Sequence, residues 1–430
     1  MKSKLASAVF AAVALAAVTF GLAVRAQAQT ETVLHTFNNA AEGGSPAAGL
    51  LLDSSGHLYG TTKFGGNPKY PTEQGVVFRL TLSGGHWQES VLRDIPSEQG
   101  SDGGLIQDAA GNLYGTSVAG GSPVSCPAYE TPGCGTVFEL SPTSSGQWKR
   151  TQLYAFTGGA DGAIPTATLT FDASGNLYGA AGWGGDAGGC DGSFGCGVIF
   201  KLSPSASGAW TETVLHTFTG VNDGAIPKGP VVFDAAGNLY GTTSNSSPGY
   251  GMVYELSPTI SGPWTETILY TFTNGPDGSQ PFGGVVFDSS GNLYGTSYSG
   301  GNLADCSKQG CGTVYELSPA TGGSWTETTV HTFTGGTDGK NPQAGLIRDA
   351  AGNFYGTTSA GGSGKSGTAF ELSPGSGGTW TEKILHDFPS STGDGVNPDA
   401  PLIFDAAGNL YGTTIAGGPL GYGTVFEIRP

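Results

Sequence analysis

Asp234-Ala-Ala-Gly-Asn-Leu-Tyr-Gly-Thr-Thr243 decides the fold, because the chain says it again and again. Gly-Asn-Leu-Tyr-Gly-Thr, or a near copy, recurs with its tyrosine at Tyr59, Tyr114, Tyr178, Tyr240, Tyr294, Tyr355 and Tyr411, at spacings of 54 to 64 residues. One supersecondary unit has been copied seven times, so the architecture must be built from that unit.

Each unit reads as four short strands in fixed order. In the third unit the expected strands are 167–171, 176–180, 197–202 and 210–218. The first two are joined by Asp172-Ala-Ser-Gly175, and all seven copies keep that aspartate: Asp53, Asp108, Asp172, Asp234, Asp288, Asp349 and Asp405. Asp bonds its own backbone two residues on, and Gly takes the left-handed position of the turn. The third strand, Gly-Thr-Val-Phe-Glu-Leu, alternates and is β-branched or aromatic, as a half-buried strand should be. A Ser/Pro/Gly turn leads into the fourth, Trp-Thr-Glu-Thr-Val-Leu-His-Thr-Phe. No amphipathic helical window of convincing length follows the first 28 residues, so the class is all-β.

Seven four-stranded units close radially as a β-propeller. The chain ends carry this reading. Glu31-Thr-Val-Leu-His-Thr-Phe37 is a fourth strand without its own first three, and Gly423-Thr-Val-Phe-Glu-Ile428 is a third strand without a fourth. Every strand type is present seven times only if the N-terminal strand completes the last blade, which also hides the sheet edges. An open solenoid has no use for such a permutation and wants polar caps instead.

Residues 1–28 carry Lys2 and Lys4, an apolar run, and Ala26-Gln-Ala28, the pattern of a secretory signal peptide cut after Ala28. An uncleaved N-terminal anchor is the alternative. No second hydrophobic run reaches membrane length. Residues 29–430 then form one domain of about 57 residues per blade, expected to be secreted or periplasmic and monomeric. The 76 glycines and 25 prolines recur at the same turn positions, so they punctuate a folded object. Six cysteines fall as three local pairs, Cys126 with Cys134, Cys190 with Cys196 and Cys306 with Cys311, each between the second and third strands of one blade. That pattern predicts three disulfide-stapled loops in an oxidising compartment. Metal binding by these pairs would need four ligands, and no histidine lies near any of them.

The chain has 34 acidic against 17 basic residues, and three of the basic ones (Lys2, Lys4, Arg25) lie in the leader, leaving a net charge near −20. Nucleic-acid binding wants a basic footprint, and adhesion to anionic lipid wants the same. Both are excluded by charge. No nucleophile elbow, zinc-protease helix or phosphate loop is present, and no cofactor is implied.

A residue present in every blade is most simply a blade-building residue. The repeated tyrosine reads as inter-blade packing with its hydroxyl satisfied. The tryptophans opening six fourth strands (Trp87, Trp148, Trp210, Trp264, Trp325 and Trp380) read the same way. His35, His216, His331 and His386 share one register with Arg93, Tyr154 and Tyr270, an interchange that suits an outer-strand surface position and not a general base. Two features stand out from the scaffold. An acidic residue precedes or lies near Gly in each loop after the fourth strand: Glu42, Asp102, Asp161, Asp223, Asp277, Asp338 and Asp394. These are expected to ring one mouth of the central channel, on the face that carries the cysteine loops. They read either as a turn that every blade needs, or as a site for cations, polyols or carboxylate-pair chemistry. No loop has the ladder of a dedicated calcium site. Aromatic asymmetry is the second feature: Phe64 and Trp183 at the end of the second strand, and Tyr298 one position earlier. They either fill gaps at the rim or form a sugar-stacking surface.

The combined motif, Asp-Ala-Ala-Gly-Asn-Leu-Tyr-Gly-Thr-Thr, then Gly-Gly, then Gly312-Thr-Val-Tyr-Glu-Leu-Ser-Pro319, resembles the GloVer tandem repeat of secreted bacterial proteins. The resemblance covers essentially the whole chain after the leader. It implies an exported repeat protein whose members often carry a C-terminal surface anchor, and it transfers no catalytic residue. This chain ends at Pro430 directly after a blade strand, so release is expected over covalent display. The sequence therefore points to a secreted seven-bladed propeller acting as a binding module, with extracellular carbohydrate as the leading ligand. A polysaccharide glycosidase or lyase using the loop carboxylates is the second reading, and a protein-interaction scaffold is the third.

Overall fold

The computed structural model describes residues 30–66, 74–95, 100–121, 126, 132–185, 190, 194–246, 249–260, 263–390 and 393–429. The expected signal peptide, 1–28, lies outside them. Seven four-stranded blades form the ring, numbered here from the blade of Tyr59 (blade 1) to that of Tyr411 (blade 7). In blade 3 the strands run Thr170–Phe171, Leu177–Trp183, Val198–Pro204 and Trp210–Thr217, from the innermost outwards, with Ala163–Pro165 extending the inner edge. These match the sequence expectation, except that the innermost strand is only two residues long. The only helical turns among the described residues are the short 3-10 segments Cys306–Lys308 and Ser376–Gly378.

Closure occurs as the permuted ends require. The strand Thr30–Thr36 pairs antiparallel with Thr424–Arg429, from Thr30 opposite Arg429 to Thr36 opposite Thr424. Its register shifts between Val33 and His35, and the same bulge stands between third and fourth strands elsewhere, at Ile199/Phe200 and Val314/Tyr315 for example. The N-terminal segment is thus a true fourth strand in every detail. Thr413 Oγ1 donates to the Ala48 carbonyl at 3.1 Å, tying blade 7 to blade 1 near the axis as well.

The repeated phrase is one hydrogen-bonding device. Asp172 Oδ1 accepts from the Ser174 and Asn176 amides at 2.8 and 2.9 Å, while Oδ2 accepts from Asn176 Nδ2 at 2.6 Å and the Tyr178 hydroxyl at 3.1 Å. Burial opposes ionisation of Asp172, but these donors outweigh it and hold the carboxyl below its usual range. With its hydroxyl so fixed, the Tyr178 ring lies edge-on to Phe233 (4.9 Å between centroids) and beside Trp264 (6.3 Å), both in blade 4. Tyr411 meets Trp87 in the same way across the closing junction. The expected inter-blade packing role is therefore observed.

The core lies between blades, and not within them. At six of the seven junctions a second aromatic contact pairs the phenylalanine at the end of a fourth strand with the third-strand ring of the next blade: Phe156 with Phe200 at 5.1 Å and Phe388 with Phe426 at 5.1 Å, for example, all four fully buried; Ile95 stands in that place between blades 1 and 2. That third-strand ring explains the Tyr-Gly-Thr motif. A Cβ on Gly179 would lie 2.6 Å from Phe200 Cζ and 2.9 Å from Leu169 Cδ2. Gly179→Ala should lower the unfolding free energy by about 1–3 kcal/mol through overpacking, read from chemical denaturation. An unchanged midpoint would show that Phe200 can move aside at no cost.

Candidate functional site at the channel mouth

In six of the seven junctions the link from a fourth strand to the next innermost strand passes through an x-Pro step. There x is left-handed: Ser45, Ile164, Ile226, Gln280, Asn341 and Asn397 have φ between 53 and 58°. The amide of x donates to a carbonyl at the start of the preceding blade's third strand, as Ile226 does to Cys196 at 2.8 Å and Asn397 to Ser366 at 2.9 Å. Even β-branched Ile164 and Ile226 accept this strained conformation. The latch fixes the proline, and the residue after it stands at the channel mouth.

That residue varies from blade to blade, with only aspartate used twice: Ala47, Thr166, Lys228, Phe282, Gln343 and Asp399 follow the prolines, and Asp102 follows Ser101. Lys63 and Tyr298, both four residues past the repeated tyrosine, join them. Lys63 Nζ lies 3.1 Å from Asp102 Oδ1, each side chain about one-third exposed. Gln343 Nε2 donates to Asp399 Oδ1 at 3.3 Å. Lys228 Nζ stands 5.0 Å from the Phe282 ring centroid, and Phe282 lies edge-on to Tyr298 at 5.5 Å. Burial pushes Asp399 up to about 6, with the Lys63 charge opposing. Burial also lowers Lys228, which feels Asp102 and Lys63. Groups from blades 1, 2, 4 and 7 sense one another's charge, and only the axis brings non-adjacent blades that close.

Six of the seven carboxylates expected at this mouth are elsewhere, Glu42 lying where its charge reaches Glu89 of the outermost strand of blade 1. Asp161, Asp223, Asp277 and Asp338 cap their own loops, accepting from the amides of Thr157, Thr219, Thr273 and Thr334 at 2.7–2.8 Å. They reach back to the outermost strand: the Tyr154 and Tyr270 hydroxyls donate to Asp161 and Asp277 at 3.1 Å, and His386 Nε2 lies 2.9 Å from Asp394. Of the expected ring only Asp102 stands at the mouth. Its loop is shorter than its counterparts, which brings it into the register of Lys228 and Asp399 instead of that of Asp161.

The aromatic residues also separate. Successive side chains of a strand point to opposite faces, so Tyr298 and Lys63 face the mouth while Phe64 and Trp183 face away. Trp183 is partly buried against the core between blades 2 and 3 and lies edge-on to Phe194 at 6.2 Å. All three disulfides form, with no free cysteine, and the Cys306–Cys311 bridge packs against Gly335 in the loop that carries Asp338. They brace the loop face.

The outer seams hold a second set of groups that sequence reading set aside. At six of the seven, a loop carboxylate meets a fourth-strand residue of its own blade and a fourth-strand glutamate of the next; between blades 1 and 2 Arg150 takes the glutamate's place and Arg93 Nε donates to the Trp148 carbonyl at 2.7 Å. Burial first, and the neighbouring loop carboxylate second, push Glu31, Glu89 and Glu212 up to about 7, and Glu266 and Glu382 to about 8. Burial lowers His35 to about 4 and also lowers His216 and His331. The sequence signal is the glutamate two positions after five of the six fourth-strand tryptophans, Trp148 being followed by Arg150.

Seven blades of four strands around a channel with a polar, aromatic-flanked mouth define a β-propeller. The chain belongs to the Gloeobacter/Verrucomicrobia repeat family, whose model matches residues 16–190 and 188–426. No curated protein matches it. Among solved structures it is similar to a Lactobacillus plantarum protein at 13% identity and a TM-score of 0.49, covering 80% of this chain and 85% of that one. It is also similar to a Thermus thermophilus protein provisionally described as an oxidoreductase (glucose dehydrogenase), at 11% identity and 0.42, covering 93% of this chain and 100% of that one.

The seam glutamates set a pH dependence. Their folded-state values lie above the unfolded 4.5, so the native chain binds more protons and loses stability as pH rises towards 8. The histidines act oppositely, but only between about 4 and 6.5. In chelator-treated buffer the melting temperature should therefore be lower at pH 8.5 than at pH 6.5; calorimetry showing it equal or higher at pH 8.5 would contradict this account.

Proposed function

We propose that this protein is an exported binding module that takes carbohydrate at the channel mouth of its loop face. The observation that supports the reading is the Phe282–Tyr298 ring pair beside Lys228, with Lys63, Asp102, Gln343 and Asp399 across the same mouth. A sugar presents an apolar face that stacks on rings and hydroxyls that want charged or amide partners, and a concave site with a few convergent polar groups serves both. The mouth is also where the repeats stop agreeing, so these side chains are free of scaffold duty.

Three closed disulfides and the leader-like 1–28 segment support export, since such bridges persist in oxidising compartments. No helix among the described residues is long and apolar enough to cross a membrane.

Affinity electrophoresis through gels of soluble polysaccharides tests the reading, with reducing and unsaturated ends assayed in parallel. Retardation by at least one polysaccharide is expected, without product, and Tyr298→Ala or Lys228→Ala should reduce it about tenfold or more while Trp183→Ala leaves it unchanged. Loss on Trp183→Ala alone would move the site to the opposite side of the strand. Product formation would make the protein an enzyme and turn attention to Asp102 and Asp399. Indifference to every polysaccharide would favour a protein ligand.

A further inference from the structure

We propose that two outer seams are divalent-cation sites of the zinc type, one formed by His216, Asp223 and Glu266 between blades 3 and 4, the other by His386, Asp394 and Glu31 between blades 6 and 7. In each, the histidine and glutamate stand on successive fourth strands and the aspartate on the loop between. One ligand atom from each residue lies within 4.8 Å of the other two, and these are the two such groups among the described residues.

The spacing is that of a bridged ion more than of a hydrogen-bonded cluster. His216 Nε2 is 3.6 Å from Glu266 Oε1 and 3.8 Å from Asp223 Oδ2. Both distances are too long for a hydrogen bond. They come within a few tenths of an ångström of the edge, about 3.4 Å, of a tetrahedron with metal–ligand bonds of about 2.1 Å. The second seam differs: His386 Nε2 and Asp394 Oδ2 are hydrogen-bonded at 2.9 Å, and an ion there has to part them by about half an ångström.

A second observation concerns polar atoms left over. Glu266 Oε1, His216 Nε2 and Glu31 Oε1 are buried without any hydrogen-bond partner, and the Glu266 side chain is only 12% exposed. Unpaired buried oxygens and nitrogens are costly; Glu266 Oε1 and His216 Nε2 face each other at the seam of blades 3 and 4, and Glu31 Oε1 lies at the seam of blades 6 and 7. A cation at each seam would give these atoms a partner and neutralise two crowded carboxyls.

Sister seams act as built-in controls. Between blades 2 and 3, and between 4 and 5, tyrosine replaces the histidine, and its hydroxyl reaches the loop carboxylate at 3.1 Å. There the hydroxyl takes up the loop carboxylate and no nitrogen ligand is present, although Glu212 Oε1 stays buried and unpaired. Between blades 5 and 6, His331 Nε2 is 3.6 Å from Glu382 but 3.9 Å from Asp338, and the three donors are not gathered within the same radius. One imidazole with two carboxylates suits zinc or manganese over calcium, which takes oxygen alone, and three protein ligands leave a position for water.

The test is zinc titration of chelator-stripped protein by calorimetry, with bound metal counted after gel filtration. Two equivalents are expected. His216→Tyr and His386→Tyr place the sister-seam side chain at each site; each should fold with an unchanged circular dichroism spectrum and lose one equivalent, and the double variant should hold none. His331→Tyr should leave both. Should either tyrosine variant misfold, Glu266→Gln and Glu31→Gln should each remove one equivalent. Absence of binding at millimolar zinc, or two equivalents retained in the double variant, would overturn the proposal.

Discussion

The carboxylate of Asp172 and its six counterparts gathers two backbone amides and, in most blades, an asparagine or histidine side chain and a tyrosine hydroxyl, and the rest of the molecule is arranged around that convergence. The amides close the first hairpin. The hydroxyl fixes the rotamer of a ring that points out of its own blade, so the bond that shapes one blade also aims the group that holds the next. The tryptophan opening the next outermost strand completes the contact. The junction between blades 6 and 7 has no such ring beside Tyr355, and a cleft lined by Thr30, Arg348, Tyr355 and Arg429 lies there. Local turn chemistry and long-range assembly are thus one constraint, repeated.

What varies is set apart from what repeats. The x-Pro latch spends backbone strain at six positions to hold a proline whose follower needs no particular side chain, because it faces an open channel. Lysine, aspartate, phenylalanine and glutamine are all accommodated there without disturbing a blade. The seams follow a looser version of the rule. Tyrosine, histidine and arginine interchange at one position because each spans the gap differently; the glutamate opposite meets histidine at four junctions and tyrosine at two, and arginine replaces it opposite Arg93.

The fold was legible in the sequence because its information is redundant: seven copies of a turn, a ring and a strand, plus two chain ends that make sense only when joined. The site was legible only in part. Counting along the chain put Asp102 with Asp161, but a shortened loop moves it inward by a full register, and sequence spacing carries no sign of that. Tyr298 was recognised as an odd aromatic, yet it was grouped with Trp183, whose side chain leaves the opposite face of its strand. Lys63, Lys228 and Asp399 share no motif along the chain, because their partners lie across the axis in other blades. His216 and Glu266 were unreadable as a pair for the same reason, being 50 residues apart in different units.

The pairing of Thr30–Thr36 with Thr424–Arg429 orders events in time. The first strand to leave a ribosome or a translocation pore is the last to find its partner, since that partner is the final segment of the structure. Until then the N-terminal strand has no sheet to join, and six finished blades wait with two open flanks. The ring therefore acts as its own completeness check. A chain broken off before Thr424 keeps exposed edges that invite proteases and other chains, whereas pairing of these two strands covers both edges at once.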